Sequence, residues 1–335
     1  MTSRTTPPPV HAGGTLLFIL LSAASGLLLS LQSRINGALA TALGDPIAAA
    51  AFSFGVGLLA LALTALAAPT ARRGVRRIPA VLRGRRVPWW YLAAGAVGAL
   101  IVFSQSATVP LIGVALFTVC LVTGQSIGSM AMDRVGFGGA APRRISLPRI
   151  IGVALTIVGV IWAVDPGAAG TGLSGQLLPM GFAVLVGMLM GFQGAANGAQ
   201  SAAYGSAIAA TLVNFVVGFA VLGAVMLARL AGGARLAQLP AEPWYYIGGL
   251  LGCIFVGLTA TVIKRLGVLV TSLAAVGGQL VGSLVLDIVV PAAGSRVSTA
   301  TVLGTTLTLL AVALACVSGA HGTAAAVETR QKIRR

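Results

Sequence analysis

Ten long apolar runs occupy most of this 335-residue chain and constrain its fold more than any other feature. A helix needs about 20 mostly apolar residues to cross a hydrocarbon layer of roughly 30 Å. Charged residues make up only 8% of the sequence, whereas about 25% is usual in soluble domains. The sequence therefore excludes an ordinary soluble enzyme and predicts an all-α membrane protein. The ten predicted transmembrane helices are residues 15–40, 47–68, 89–108, 111–132, 148–164, 176–201, 206–228, 243–263, 267–290 and 298–318.

Basic residues are distributed unevenly between the two sides of this predicted bundle. Ten spans place both termini on one side, and 18 of the 22 lysines and arginines fall on that side. Because cytoplasmic connections are enriched in lysine and arginine, we expect both termini in the cytoplasm. The net charge of +16 does not predict nucleic-acid binding, since the basic residues lie in short connections and form no continuous groove. The basic segment 70–86 is predicted to be a topology-setting cytoplasmic loop within reach of anionic lipid headgroups.

The chain consists of two related halves. Residues 30–57 align with 191–218 without a gap and share 12 of 28 residues, and the pattern G-Q-x-x-G-S-x-x-x-D begins at Gly124 and again at Gly278. Each half contains five predicted spans, so the second half enters the membrane from the opposite side. Two inverted five-helix repeats are common in secondary transporters, whose substrate site lies near the midplane. The predicted segments are a cytoplasmic tail (1–14), the first repeat (15–165), a linker (166–175), the second repeat (176–318) and a basic cytoplasmic tail (319–335).

Amide and hydroxyl side chains recur at matched depths in the two halves. Such groups lack hydrogen-bond partners when they face lipid, so we expect them to face the bundle interior or a wet cavity. They either join helices by hydrogen bonds or line a substrate pathway, and the sequence leaves both roles open. The candidate pathway residues are Gln32, Asn36, Gln125, Ser129, Gln193, Asn197, Gln279 and Ser283, with Ser53 and Asn214 as weaker lining candidates.

Two aspartates and one arginine also lie in or directly at the end of the predicted spans. Inversion places Asp133 at the cytoplasmic end of the fourth span and Asp287 at the outer end of the ninth, each near an interface where a carboxylate can stay hydrated. Both are candidates for gating, helix capping, substrate contact or proton coupling. Arg34 is expected to snorkel towards the outer surface. The only histidines, His11 and His321, lie outside the apolar runs, so the sequence predicts no metal site.

Taken together, these motifs resemble a known family of bacterial inner-membrane proteins. In each half, Q-x-x-x-N lies near the end of the first helix, F-x-x-G lies in the second, and G-Q-x-x-G-S-x-x-x-D closes the fourth. The third helix opens with W-W-Y at 89–91 or W-Y-Y at 244–246, which we expect to anchor at the membrane interface. This pattern resembles the YdcZ-like family of the drug/metabolite transporter superfamily, over about residues 15–165 and 176–318.

The resemblance implies a secondary transporter of small molecules with a ten-helix inverted-repeat fold, and it leaves the substrate open. Small multidrug exporters of the same superfamily carry a glutamate in the first helix that exchanges protons for cations. Here that helix offers Gln32 and Asn36 instead, so proton-coupled cation export through such a glutamate cannot be carried over. Because the repeats are fused in one chain, we expect a monomer.

The expected function is export of metabolites or drug-like molecules by alternating access between the repeats. The alternative is a non-transporting sensor, scaffold or lipid-handling protein, which a closed bundle without a polar cavity would favour. An intramembrane aspartyl protease would need Asp133 and Asp287 close enough to share a proton, and inversion separates them. No phosphate-binding nucleotide loop is present. We therefore expect no enzyme activity and no cofactor, with a small-molecule substrate and membrane lipids as partners and no nucleic acid.

Overall fold

The computed structural model describes residues 12–139, 142, 145–163, 172–235, 238–291 and 297–314, which form helices joined by short turns. Most of the predicted N-terminal tail, most of the predicted linker and the whole predicted C-terminal tail lie outside these described residues. Each of the ten predicted spans coincides with a helical segment. Among the described helices, six are long and apolar enough to cross a membrane. The helices are α1 (Ala12–Leu43), α2 (Pro46–Ala67), α3 (Pro69–Arg83), α4 (Ala93–Val135), α5 (Leu147–Ala163), α6 (Gly172–Tyr204), α7 (Ala207–Ala231), α8 (Gly248–Val289) and α9 (Thr299–Leu314).

Helix α4 is a hairpin that contains the third and fourth predicted spans. The ring of Tyr91, just before it, stacks on the ring of Phe137, just after it, with centroids 5.0 Å apart. The reversal occurs at Gly113, whose φ of 80° and ψ of 170° are accessible to glycine and strained for other residues. Pro110 lies one turn earlier and interrupts the helical hydrogen bonds. Without this reversal, 43 residues would extend about 65 Å, far beyond the membrane core.

Helix α8 is folded in the same way around α1. Gly252 lies against Gln32, and the carbonyl of Val290 accepts a hydrogen bond from Arg34. Two distant points of α8 therefore lie at the same level of α1, so α8 doubles back between them. The first helix of the first repeat is thus held by the hairpin of the second repeat.

Glycine contacts recur in both repeats and set the close spacing of the helices. An added Cβ on Gly26 of α1 would collide with the carbonyl oxygen of Ala275 in α8. The corresponding Cβ on Gly187 of α6 would collide with the carbonyl oxygen of Leu121 in α4. Gly187 and Leu121 are the repeat counterparts of Gly26 and Ala275, so α6 lies in the α4 hairpin as α1 lies in the α8 hairpin. This match confirms the predicted two-repeat architecture, in which small residues let backbones approach closely.

The basic segment after the second span is a helix, so the loop predicted for residues 70–86 is wrong. Helix α3 buries Ala71, Gly74 and Val81 along one face and exposes its arginines on the others. An added Cβ on Gly74 would lie 2.6 Å from the Cβ of Ser206, at the start of α7. The spacing of its apolar positions fits one helical face; the dense positive charge obscured this pattern in the sequence.

The bundle has two ends that differ in their residues. The end here called the α3 end contains α3, Asp133 and the turn at Gly205, over which the Arg77 guanidinium lies. The opposite end, called the Asp287 end, contains Asp287, Asp45 and the α4 reversal. Helix α6 begins at Gly172, so part of the predicted linker 166–175 is helical.

Candidate functional site

A group of amide and hydroxyl side chains lies where α1 meets α2, α4 and α8. The Nδ2 atom of Asn36 donates to Oε1 of Gln105 at 2.8 Å, and both side chains are buried. The side-chain oxygen Oδ1 of Asn36 and the hydroxyl of Ser53 both lie next to Gly248, and neither has a hydrogen-bond partner among the described residues. Gln32 lies one turn earlier, against Gly252. We call Gln32, Asn36, Ser53 and Gln105 the Asn36 cluster; its unpartnered oxygens can accept hydrogen bonds from a polar ligand.

A second group occupies the matching place in the other repeat. Asn214 donates a hydrogen bond to Asn197, and Nε2 of Gln193 donates to the carbonyl of Ala94 at 3.1 Å. The side-chain oxygen Oδ1 of Asn214 is buried and has no hydrogen-bond partner among the described residues. We call Gln193, Asn197 and Asn214 the Asn197 cluster. It lies nearer the α3 end, whereas the Asn36 cluster lies nearer the Asp287 end.

Two phenylalanines mark the place where the repeats meet. The rings of Phe54 and Phe215, which are repeat counterparts, stack with centroids 4.8 Å apart. An added Cβ on Gly98 would lie 2.8 Å from Nε2 of Gln193 and 3.5 Å from the Phe54 ring. The stacked pair therefore lies between the two amide clusters, at the approximate two-fold axis of the repeats.

The matched polar residues differ in exposure according to the end of the bundle. In five matched pairs the residue at the Asp287 end is buried, whereas its counterpart at the α3 end is partly or fully exposed; the sixth pair, Ser53 and Asn214, is buried in both repeats. Because the sequences match, this difference reports a difference in conformation between the repeats. The buried and exposed partners are Gln32 and Gln193, Asn36 and Asn197, Gln279 and Gln125, Ser283 and Ser129, and Asp287 and Asp133.

Matched glycines show the same asymmetry. An added Cβ on Gly37 of α1 would lie 2.9 Å from a methyl group of Val109, so this part of the Asp287 end is tightly packed. Its counterpart Gly198 on α6 has nothing within 4 Å of such a Cβ. The polar stripes are therefore closed at the Asp287 end and more open at the α3 end.

Asp287 holds the closed end together and is not hydrated, so that part of its sequence prediction is wrong. Its residue surface is only 4% exposed. Its two carboxylate oxygens accept hydrogen bonds from the backbone N–H groups of Val114 at 3.1 Å and Ala115 at 2.7 Å. These residues begin the second arm of α4, so the carboxylate caps a helix N-terminus, where negative charge is favoured. This contact joins the second repeat to the first.

Arg34 makes the complementary contact with a helix C-terminus. Its guanidinium donates to the carbonyls of Val290 at 3.0 Å and Pro291 at 2.9 Å, just beyond α8. A positive charge is favoured at this end of a helix. Arg34 therefore caps α8 rather than only reaching towards the surface.

Asp133 forms a different interaction from its counterpart. It pairs with Arg149 of α5 at 2.9 Å, and both side chains are partly exposed. Val114, which binds Asp287, precedes Asp133 by 19 positions on the same arm of α4, a separation of about 28 Å. The two aspartates therefore do not form a catalytic dyad.

A further ion pair joins the repeats at the Asp287 end. Arg229 of α7 lies 2.7 Å from the carboxylate of Asp45, which also caps α2 through the N–H groups of Ile47 and Ala48. Burial acts to raise the pKa of Asp45, but the hydrogen bonds from Arg229 and from the two backbone groups outweigh it. The pKa of Asp45 is therefore held below its usual value.

The aromatic residues at the start of the third span divide between surface and core. Trp89 is 78% exposed, as expected of an interface anchor. Tyr91 is buried against Phe137, so its predicted role as an anchor is wrong.

Sequence comparison of the repeats missed Gln105, which completes the Asn36 cluster. Its repeat counterpart is Thr259, so no matched amide drew attention to it. The available signal was a glutamine between two serines, Ser104 and Ser106, inside an apolar span. All three side chains are buried.

Comparisons with known proteins support the two-repeat architecture. A family model described as "Putative inner membrane exporter, YdcZ" matches residues 17–162 and matches again at 178–314. A solved crystal structure, described only as that of a protein, aligns with 90% of this chain and 96% of its own at 14% identity and a TM-score of 0.55. That likeness concerns the fold alone. No curated protein matches the chain.

Proposed function

We propose, from the premise that this chain belongs to the YdcZ family, that it exports small polar molecules by alternating access between its repeats. It is a membrane transporter by family, and its long apolar helices fit an inner-membrane location. In this mechanism, the substrate passes between the Asn36 and Asn197 clusters as the two ends of the bundle open in turn.

The asymmetry between matched residues is the observation that carries this proposal. Inverted repeats that adopt two different local conformations can exchange them, and the exchange reverses which end is open. Here the counterparts Ser283 and Ser129 are buried and exposed, respectively. We assign the α3 end to the cytoplasm, because most basic residues lie there. The conformation described is then open towards the cytoplasm and closed towards the outside.

The substrate class follows from the groups that line the proposed pathway. The two clusters consist of amides and hydroxyls, and their unpartnered atoms include oxygens of Asn36, Ser53 and Asn214. The two aspartates at the ends of the spans already interact with groups of the protein: Asp133 pairs with Arg149, and Asp287 caps a helix N-terminus. A neutral or weakly charged molecule with N–H or O–H donors fits this environment better than a cation.

Transport by the reconstituted chain tests the proposal. Proteoliposomes would be challenged with radiolabelled nucleobases, amides and sugars and with cationic dyes, with and without a pH gradient. Removing the polar group of Asn36 or Gln105 leaves its buried partner unsatisfied, at about 1–3 kcal/mol. We expect Asn36→Leu and Gln105→Leu to lower transport of a neutral substrate at least fivefold. Thr211→Val is the matched control, because this hydroxyl donates to the carbonyl of Ala207 within its own helix α7 and belongs to neither amide cluster.

Two results would contradict the proposal. Preferred transport of the cationic dyes would exclude the neutral substrate class. An absence of both tracer uptake and charge movement for every compound, with correctly folded protein, would favour a membrane sensor, scaffold or lipid-handling protein instead.

A further inference from the structure

The arginines on and after α3 form a charged surface that the transport pathway does not use. All of them are exposed, although the helix that carries most of them packs its apolar face against the start of α7. We call this set the arginine surface. It consists of Arg72, Arg73, Arg76, Arg77, Arg83, Arg85 and Arg86.

Both ends of α3 are held at the surface of the membrane. Helix α3 begins at Pro69, immediately after the spanning helix α2 and its C-cap residue Ala68. The next spanning arm begins at Ala93, behind the exposed side chains of Trp89 and Trp90. Tryptophan is enriched at the level of lipid headgroups. A helix of 15 residues is about 22 Å long, so it must run along this layer rather than extend from it.

No carboxylate in the part of the chain that the structure describes neutralises the arginine surface. It contains only six acidic residues against 22 basic ones. Among the described residues, Asp133 pairs with Arg149 and Asp45 pairs with Arg229, whereas none of the arginines of α3 forms an ion pair. Arg73 donates a hydrogen bond to the carbonyl of Pro69, through Nε at 3.3 Å. Among the described residues, no carboxylate therefore supplies a counter-charge for this surface.

We propose that the arginine surface binds the headgroups of anionic phospholipids in the leaflet beside α3. Guanidinium groups bind phosphate through two parallel hydrogen bonds, which suits a phosphodiester headgroup. Each basic residue near an anionic membrane strengthens attachment roughly fivefold. Lipid is favoured over an acidic protein or a nucleic acid, because α3 lies within the headgroup layer and is held there at both ends. The proposal does not depend on transport.

Lipid binding by the purified full-length chain in neutral detergent tests this inference. Phosphatidylglycerol, phosphatidylcholine or inorganic phosphate would be titrated while bound lipid is counted by native mass spectrometry. The wild-type chain should bind phosphatidylglycerol at least tenfold more tightly than phosphatidylcholine, and salt should weaken the preference. Replacing Arg72, Arg73, Arg76 and Arg83 together by glutamine should remove it, whereas lysine at the same positions should retain most of it.

The matched control removes four charges elsewhere. Glutamine at Arg330, Lys332, Arg334 and Arg335 lowers the net charge equally and should reduce the lipid preference far less than the four substitutions on α3. An equal loss of lipid preference in this control would show that the preference depends on net charge alone, and it would overturn the proposal. Binding of inorganic phosphate as tight as that of phosphatidylglycerol would assign the surface to free anions, and displacement of lipid by an oligonucleotide would assign it to nucleic acid.

Two checks separate folding from binding. Because arginines also set topology, the orientation of each variant would be verified with a C-terminal reporter. If the glutamine variant fails to fold, equal binding of phosphatidylglycerol and phosphatidylcholine by the wild-type chain would still refute the proposal. None of these measurements needs a transported substrate, so this inference can fail independently of the proposed function.

Discussion

Replacing Asp287 with asparagine should open the closed end of the bundle. The carboxylate uses one oxygen for the N–H of Val114 and the other for the N–H of Ala115. Asparagine keeps one acceptor oxygen and no charge, so it can retain at most one of these two bonds. Because the contact joins the two repeats, a motion that separates them must break it.

The loss of these contacts sets how far Asp287→Asn destabilises the closed state. A hydrogen bond to a charged group contributes about 1.5–3 kcal/mol, and an anion at a partly buried helix N-terminus adds about 0.3–2 kcal/mol. The substitution should therefore weaken the closed state by about 2–5 kcal/mol. Since about 1.4 kcal/mol corresponds to a tenfold change in an equilibrium, the open population should rise roughly 30- to 4000-fold.

Thiol labelling can measure this change without a known substrate. A single cysteine in place of Ser283, which is fully buried, would be labelled with a membrane-impermeant reagent after the native cysteines are replaced by alanine. Asp287→Asn should raise the labelling rate by at least 30-fold. The matched control is Asp133→Asn, which loses only a partly exposed ion pair, usually worth no more than about 1 kcal/mol. An unchanged rate in Asp287→Asn, or an equal rise in the control, would refute this account of the closed end.

Two further predictions concern packing and pH. In a thermal unfolding assay, Gly26→Leu and Gly187→Leu should each destabilise the protein by about 2–3 kcal/mol or more, because each new side chain meets the backbone of the neighbouring hairpin. The control Gly223→Leu should be neutral in this assay, because a Cβ at Gly223 has nothing within 4 Å. At neutral pH, Asp45→Asn should cost about 1 kcal/mol. Folding lowers the pKa of Asp45, so its stabilisation is complete above the unfolded pKa and disappears as the pH falls through the folded value. The difference between wild type and variant should therefore vanish well below pH 4, and a difference that persists there would contradict the role given to Arg229.

Much of the fold could be predicted from the sequence because the membrane leaves few solutions. Apolar run length identified the spans, and the repeated Gln and Asp residues identified the two repeats. Hydropathy does not say which spans are neighbours, however. The first helix of each repeat lies in the hairpin of the other repeat because helices approach closely at pairs such as Gly26 and Ala275. Many other glycines in the sequence would allow an equally close approach, so the sequence does not select this arrangement.

The site was predicted less completely than the fold. Asn36 and Asn197 were identified because they match across the repeats, whereas Gln105 was missed because its counterpart is a threonine. The cap that Asp287 provides could not be predicted, because its partners are backbone groups exposed by the reversal at Gly113. Sequence patterns identify side chains, but they do not show where a helix breaks and leaves its N–H groups free.

The central claim is that the two ends of the bundle open alternately, and thiol labelling at both ends tests it most directly. Cysteines would replace Ser283 at the closed end and its counterpart Ser129 at the open end, one at a time, with and without Asp287→Asn. In right-side-out and inside-out vesicles, the account predicts reciprocal changes: labelling at position 283 rises while labelling at position 129 falls. Labelling that rises at both positions, or that changes at one without the other, would contradict alternating access between these repeats.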